Sequence, residues 1–452
     1  MKTRLIIIIF LLFILKSNAQ CFRFVNTGNY QILGLKSDNT LWGCGSNYNG
    51  ELGDGSYAAR NTMSQIGTDS NWRTISTGAL HTIAIKTDGT LWAWGNNASG
   101  QLGDGTTIQR NTPVQIGNDT DWQYISTKGW TSFAIKSNGT LWGWGQNNIS
   151  NVGLGYYNLY VTIPTQVGNE TTWKYIYAGY DHTVAIKMNN TLWAWGSNLY
   201  GKIGIGNYLG NYPVPIQIGT DTDWKEVSTG YHTLALKNNG TLWAWGNNTS
   251  GELGDNTNVS KDLPVQIGSD TDWNIVSATI NSSYCIKNNG TLWAWGNNSN
   301  NEFGNGNTIN SNIPIQVNNE TNWKSIAPRQ GHEVALKSDF SVYYWGVNDY
   351  AIPVISASPV QLSASCNLST ENFTPYTDAI SVFPNPTNGI INIESKSILK
   401  LIQLFDIQGR LLQTKTQNDT KVNFDISDKS DGVYFVKITS ENGIKVEKIV
   451  KR

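Results

Sequence analysis

The chain has 452 residues, 14% of them charged and 11% aromatic, with 45 Gly, 12 Pro and a formal net charge of −1. That length allows a large core and more than one domain. The balanced charge gives no electrostatic basis for binding nucleic acid or an anionic membrane surface, and many Trp beside many turn formers suit an all-β protein.

Lys2 and Arg4 open the chain, and Leu5 to Leu15 form an unbroken apolar run. The run is too short for a bilayer, which needs about 20 apolar residues. Small residues follow at Ser17-Asn18-Ala19, so residues 1–19 are expected to be a signal peptide and the mature chain to begin at Gln20. A lipid-anchored start at Cys21 is the competing reading, although Gln20 stands where a lipoprotein signal carries Gly or Ala. Loss of Lys2, Arg4 and Lys16 leaves 29 basic against 33 acidic side chains. No later segment is apolar enough to cross a membrane, and no transmembrane segment is expected.

Residues 20–366 repeat one unit. Leu-Trp-Ala-Trp-Gly begins at Leu91, Leu192, Leu242 and Leu292, with variants at Leu41, Leu141 and Val342, in steps of 50 or 51 residues. Each unit reads as four short strands, as in Trp72 to Ser76, His81 to Lys86, Thr90 to Gly95 and Pro113 to Gly117. Asp88-Gly89, Asn138-Gly139, Asn239-Gly240 and Asn289-Gly290 mark hairpins, for which such pairs favour type I′ turns. Alternation puts Trp92 and Trp94 on one sheet face and Leu91, Ala93 and Gly95 on the other. Sheets with bulky indoles on one side and small residues on the other can stack radially, which predicts a seven-bladed β-propeller with four-stranded blades.

The pattern Gly-x-x-His-Thr-x-Ala-[Ile/Leu]-Lys, then Gly-Thr-Leu-Trp-Ala-Trp-Gly and Gly-x-Leu-Gly-Asp-Gly, resembles the regulator of chromosome condensation repeat family over about residues 22 to 366. The resemblance implies the same seven-bladed fold.

The seventh unit ends after Pro359-Val360-Gln361-Leu362, while Phe22 to Gly28 aligns with Trp72 to Gly78. The N-terminal strand is therefore expected to complete the last blade. In repeat register Cys366 and Cys21 fall on the adjacent positions of Thr120 and Asp121, which predicts a Cys21–Cys366 disulfide in an exported protein. Two free thiols are the alternative. Cys44, in place of a motif Trp, and Cys285, in place of Ala, read as small core residues.

Residues 367–379 read as a polar linker. From 380 to 452 the period is gone, and about seven short strands predict a small immunoglobulin-like β-sandwich. Its landmarks are Pro384-Asn385-Pro386 after Val382-Phe383, Leu404 to Arg410 with Gly409, and Gly432-Val433-Tyr434. These resemble the type A C-terminal sorting domain of the type IX secretion system of Bacteroidetes. The resemblance implies dealings with that secretion machinery and a product released or fixed to the outer cell surface. An ordinary accessory sandwich is the bland alternative.

Catalytic, cofactor and metal residues are not expected. His81, His182, His232 and His332 share one repeat position with Gln31, Thr131 and Ser282, the mark of a fold residue. Asp54-Gly55, Asp104-Gly105 and Asp255-Asn256 lack the oxygen density of a calcium loop and read as turns. The repeat is broken instead in the loops Asn151 to Thr162 and Lys202 to Tyr212, which carry Tyr156, Tyr157, Tyr160, Tyr208 and Tyr212. Tyr48 and Tyr57 stand in the corresponding loop of the first unit, and Trp130 interrupts the third. Rigid aromatics on one rim are a candidate surface for an extracellular protein or glycan; the alternative is that they cover their own loops. The leading expectation is thus a secreted or cell-surface monomeric interaction module. The alternatives are a secreted polysaccharide-active enzyme and an inhibitor of a secreted enzyme, like the propeller-type β-lactamase inhibitors among the family's relatives. The family's guanine-nucleotide exchange activity does not suit an exported chain.

Overall fold

The computed structural model describes residues 21–329, 331–347, 356–363, 380–406, 411–441 and 443–452. Residues 1–19 and 367–379, expected to be a signal peptide and a linker, together with Cys366 and Gly409, lie outside the described residues. By internal contacts the chain divides into two units, one up to residue 366 and one from residue 367. Among the described residues no helix is long and apolar enough to cross a membrane.

The first unit holds seven four-stranded antiparallel sheets among its described residues. In the second blade the strands Trp72–Thr77, His81–Lys86, Leu91–Gly95 and Arg110–Gln115 lie side by side in chain order. Short connections enforce this for the first three strands, because a chain that reverses within a few residues pairs with itself. The fourth strand returns alongside the third after a longer loop. The Asp-Gly hairpin differs from the type I′ expectation. The Gly89 N–H donates to the Lys86 carbonyl (3.0 Å) and Lys86 N–H to the Thr90 carbonyl (3.0 Å). Thr87 and Asp88 thus form the corner, and Gly89 alone takes positive φ, at 81°. Asp88 then accepts from the Thr90 backbone and hydroxyl (3.0 and 2.7 Å), and Thr90 Oγ1 accepts from the Trp92 indole (2.8 Å). This relay accounts for the recurring Asx-Gly-Thr-Leu-Trp string.

Neighbouring blades meet through unlike faces. Leu33, Leu35, Leu41 and Leu52 of the first blade form one core with Trp72, Ile75, Ala84 and Trp94 of the second. Ile83, Ile85, Leu91 and Ala93 of the second in turn meet Trp122, Ile125, Ala134 and Trp144 of the third. The second indole of the Leu-Trp-Ala-Trp-Gly motif also donates to a carbonyl of the preceding blade, as Trp94 to Glu51 (3.0 Å) and Trp245 to Lys202 (2.8 Å). The lysine ending each second strand adds a clamp. Lys86 Nζ lies 3.8 Å from the Trp92 ring centroid and 4.7 Å from that of Trp72, and pairs with Asp69 at 2.7 Å.

The ring closes otherwise than the sequence predicts. Phe22–Thr27 pairs with Gln31–Lys36 of its own blade, and the last blade supplies its own inner strand, Trp323–Arg329. The reason is local: each inner strand is tied to the next by a tight turn, so one repeat makes one whole blade. Closure is face to face, with Phe22, Val25, Ile32 and Cys44 packed on Val334, Leu336, Val342 and Tyr344, and Leu362 against them.

The second unit is one antiparallel sheet of five described strands, Ser381–Phe383, Ile390–Phe405, Leu411–Asp425, Gly432–Ser440 and Gly443–Lys451. Two of these are 16 and 15 residues long, where the sequence reads as more numerous, shorter strands. Register shifts between Glu394 and Leu401 divide the longer one without a turn. Its first half pairs with Ser381–Phe383 and its second with Gly432–Ser440. Both halves feed one core of Ile391, Ile393, Ile402, Leu404, Phe424, Val436 and Ile438.

Candidate binding face and axial site

Two sets of loops share one face of the propeller. The long loop after each third strand is tied at its base to the turn between the first and second strands. Asn96 N–H donates to Leu80 O (2.8 Å), Gln146 to Trp130 O (3.0 Å) and Ser197 to Asp181 O (2.9 Å). The tyrosine-bearing loops and the turns nearest the axis therefore open on the same side.

On that side Tyr48, Tyr57, Tyr156, Tyr157, Tyr160 and Tyr208 are exposed, Tyr48 at 66% and Tyr157 at 61%. Tyr208 is partly anchored, its hydroxyl donating to Ser260 O at 3.1 Å. Tyr212 is half-buried against Asn207, and Trp130 is half-buried in the turn of the third blade. Tyr156, Tyr157, Tyr160 and Tyr208 fall on the loops of two adjacent blades; Tyr48 and Tyr57 stand apart on the first. Leu159, Leu199, Tyr200 and Leu209 extend the exposed apolar surface on the same two loops, and sequence reasoning missed them. These loops lose the anchor of the others. Asp54, Asp104 and Asp255 accept from the following residues and pair with Arg60, Arg110 and Lys261, at 2.6, 2.7 and 3.2 Å. Leu154 and Ile205 stand in their places. The Asp-Gly pairs thus serve turns.

The histidines are buried between blades. His81 Nε2 meets Ser132 Oγ at 2.9 Å, His182 Nε2 meets Thr233 Oγ1 at 3.0 Å, and His232 Nε2 meets Ser283 Oγ at 2.6 Å. Burial pushes His81 and His232 down to about 3, with Arg329 adding to the effect on His81 and Lys128 to that on His232. They are neutral near pH 7. Among the described residues no group of three His, Cys, Asp or Glu side chains is placed to hold a metal. Two acids break the repeat. Burial pushes Glu226 up to about 7. Glu333, where five copies carry Ser or Thr and the first carries Ile32, is fully enclosed, accepts from Tyr284 Oη at 2.8 Å and is raised well above the usual range by burial.

The inner strands surround an axial cavity of about 580 Å3. Lys128 and Arg329 reach it from the third and seventh blades. They occupy the repeat position held by Gly28, Gly78, Gly179 and Gly230. At Gly78 a Cβ would meet the His81 ring at 2.1 Å. The third copy carries Thr131 at the His position, whereas the seventh keeps His332 beside Arg329.

In the second unit Asn385 holds the C-terminal strand, accepting from Val450 N–H (3.0 Å) and donating to Lys448 O (2.6 Å), with Pro384 and Pro386 on either side. Gly432 opens the strand bearing Tyr434, whose hydroxyl donates to Ser430 O at 2.7 Å.

The regulator of chromosome condensation (RCC1) repeat profile matches residues 88–135, 138–186, 189–236 and 289–336, and a second profile of that repeat matches 72–101, 173–202 and 227–252. The secretion system C-terminal sorting domain profile matches 381–452. No curated protein matches the chain significantly. Among solved structures, human WBSCR16 superposes with a TM-score of 0.63 at 18% identity, covering 72% of this chain and 93% of its own. Prp20p from Saccharomyces cerevisiae, described together with its binding to Gsp1p and histones, gives 0.62 at 19%, covering 77% and 89%. At such identities the likeness establishes the fold. Repeat by repeat and through its tail, this chain is an RCC1-repeat β-propeller carrying a type IX secretion C-terminal sorting domain.

Proposed function

We propose that the chain is a secreted or cell-surface interaction module that binds an extracellular protein or glycan through its tyrosine-bearing face. The carrying observation is the set of exposed rings and aliphatic side chains on two neighbouring loops, Tyr156, Tyr157, Leu159, Leu199, Tyr200 and Leu209. Scattered exposed apolar residues are ordinary, but a group on adjacent loops of a rigid scaffold supports a contact surface. In this reading residues 1–19 direct export from the cytoplasm, the sorting domain engages the type IX machinery, and the propeller works as a monomer without catalysis. Cys21 and Cys366 form a disulfide between the first and last blades. It is supported by the burial of Cys21 and by the separate burial of the free thiols Cys44 and Cys285.

The full chain, incubated with arrays of extracellular proteins and glycans beside a glycan-cleavage assay, tests this reading. Stable capture that falls at least tenfold in a Tyr157→Ala/Tyr208→Ala variant is expected. Turnover of a glycan without stable capture would overturn it.

A further inference from the structure

The wall of the axial cavity is rich in hydroxyls: those of Thr27, Thr77 and Thr229 donate to protein oxygens, while Ser126, Ser228, Ser277 and Ser325 stand half-buried along it. At the end nearer the tyrosine loops, two cations enter from opposite sides of the ring. Lys128 Nζ donates to the Thr229 carbonyl and, at 2.7 Å, to that of Ala278. Arg329 is 3% exposed; its Nε donates to Asn29 Oδ1 at 3.0 Å, while Nη2 is buried without an acceptor among the described residues. Both cations lie against one ring, 5.5 and 5.3 Å from the Tyr180 centroid, and the Tyr180 hydroxyl is likewise buried without a partner among the described residues. Asp181, next in the chain, is engaged by Lys202 and His182. Among the described residues no carboxylate pairs with Lys128 or Arg329.

Burial, with Arg329 beside it, pushes Lys128 well down, so a charged Lys128 next to Arg329 and two unused donors is an unfavourable arrangement on its own. An oxyanion placed between them would accept from Arg329 and Tyr180 and neutralise the pair, and a guanidinium favours the planar carboxylate. The surroundings specify what carries that carboxylate. Tyr180 packs edge-on against Tyr231 at 6.0 Å, giving aromatic surface beside the charges. The hydroxyl wall below offers donors and acceptors to other hydroxyls, and the cavity has the volume of a small-molecule pocket. An Asp or Glu side chain would use the charges and leave the hydroxyl wall unmatched. A sugar acid uses both.

We propose that this mouth binds the carboxylate of a uronic acid residue at the end of an acidic glycan, held by Arg329 and Lys128, with Tyr180 and Tyr231 beside the sugar ring. The proposal rests on the reading of the chain as an extracellular binding module and names one class of ligand for it.

Calorimetric titration of the full chain with trigalacturonate, neutral trigalactose and an oligoglutamate peptide tests the site. The expected result is binding of trigalacturonate, with the neutral sugar and the peptide at least tenfold weaker. Lys128→Met, which removes a charge without opening a hole, should lower affinity at least tenfold while leaving the thermal midpoint within a few degrees. Arg329→Lys keeps the charge but not the planar fork, and should weaken binding by a similar factor. Equal affinity for acidic and neutral sugars, equal or tighter binding of oligoglutamate, no binding of trigalacturonate by the folded chain, or unchanged affinity in folded Lys128→Met would each overturn the proposal. The Tyr157→Ala/Tyr208→Ala variant separates the two readings. Array capture that this variant abolishes, without any uronate binding, removes the axial site and keeps the module; absence of both removes both.

Discussion

Gly103 joins loop conformation to ring assembly. Its φ is +80°, and a Cβ built there would lie 2.8 Å from Nε1 of Trp144, the buried indole of the next blade. Any L-residue therefore meets backbone strain and a clash with a ring that donates to Gln101 O at 2.9 Å. Gly103→Ala is expected to destabilise the propeller by about 3 kcal/mol, read as a lower denaturant midpoint, with Gly117→Ala, which has open space around it, costing about 1. Glu226 gives a pH signature. Its carboxyl is pushed up to about 7, chiefly by burial, against 4.5 for a free side chain. The folded protein therefore holds a proton that the unfolded chain releases. The extra stability is complete below pH 4.5 and is lost as pH rises through 7, by up to about 3 kcal/mol. Glu226→Gln should remove that loss, so its midpoint should exceed the wild type's by a margin that opens between pH 5 and pH 8. A constant margin would show that Glu226 ionises as freely folded as unfolded. The histidines act in the opposite sense, since their lowered values cost stability as pH falls, and the difference between the two proteins cancels them.

At the scale of the element, a blade is legible wherever every copy assigns the same task to the same residue. The Asp88, Thr90 and Trp92 relay and the Lys86 clamp recur in phase, so periodicity alone locates the strands and their indole faces. The turn type escaped that reading. Asp-Gly fits two hairpin geometries, and the hydrogen bond from Gly89 to Lys86, set by the pairing register, selects the one with a single left-handed residue. The same task falls to Asn39, Asn190 and even Phe340, whose φ values are 63°, 58° and 64°. The candidate sites divide along the same line. Tyr156, Tyr157 and Tyr208 were visible because their loops depart from the repeat. Tyr180 and Tyr231 were not, because the turn before the histidine varies in every copy and only the ring's curvature brings those turns to the axis. Lys128 and Arg329 carried a signal, the loss of a recurrent turn glycine. Its meaning depends on knowing that the inner strand ends on the central cavity.

Closing seven blades into a ring leaves one junction unlike the rest, because no main-chain connection joins the seventh blade to the first. The packing there is also the thinnest in indoles. Cys44 takes the place of the Trp that elsewhere fills the interface and donates to the preceding blade. What remains is the Phe22, Val25 and Tyr344 core, with polar links that include Thr27 Oγ1 to Ala327 O at 3.2 Å and Arg329 Nε to Asn29 at 3.0 Å. A covalent tie at this seam would replace the missing connection, and the proposed Cys21–Cys366 bond lies in the register of the peptide links between other blades. Closing a loop of that length stabilises by about 5 kcal/mol in the chain-entropy picture. Cys21→Ser should therefore lower the denaturant midpoint under oxidising conditions, while leaving it unchanged under reducing ones where the wild type has already lost the bond. Hydrogen exchange should rise first in Phe22–Thr27 and Trp323–Arg329, the strands flanking the seam. Equal midpoints for the two proteins under oxidising conditions would mean that face-to-face packing alone keeps the ring shut.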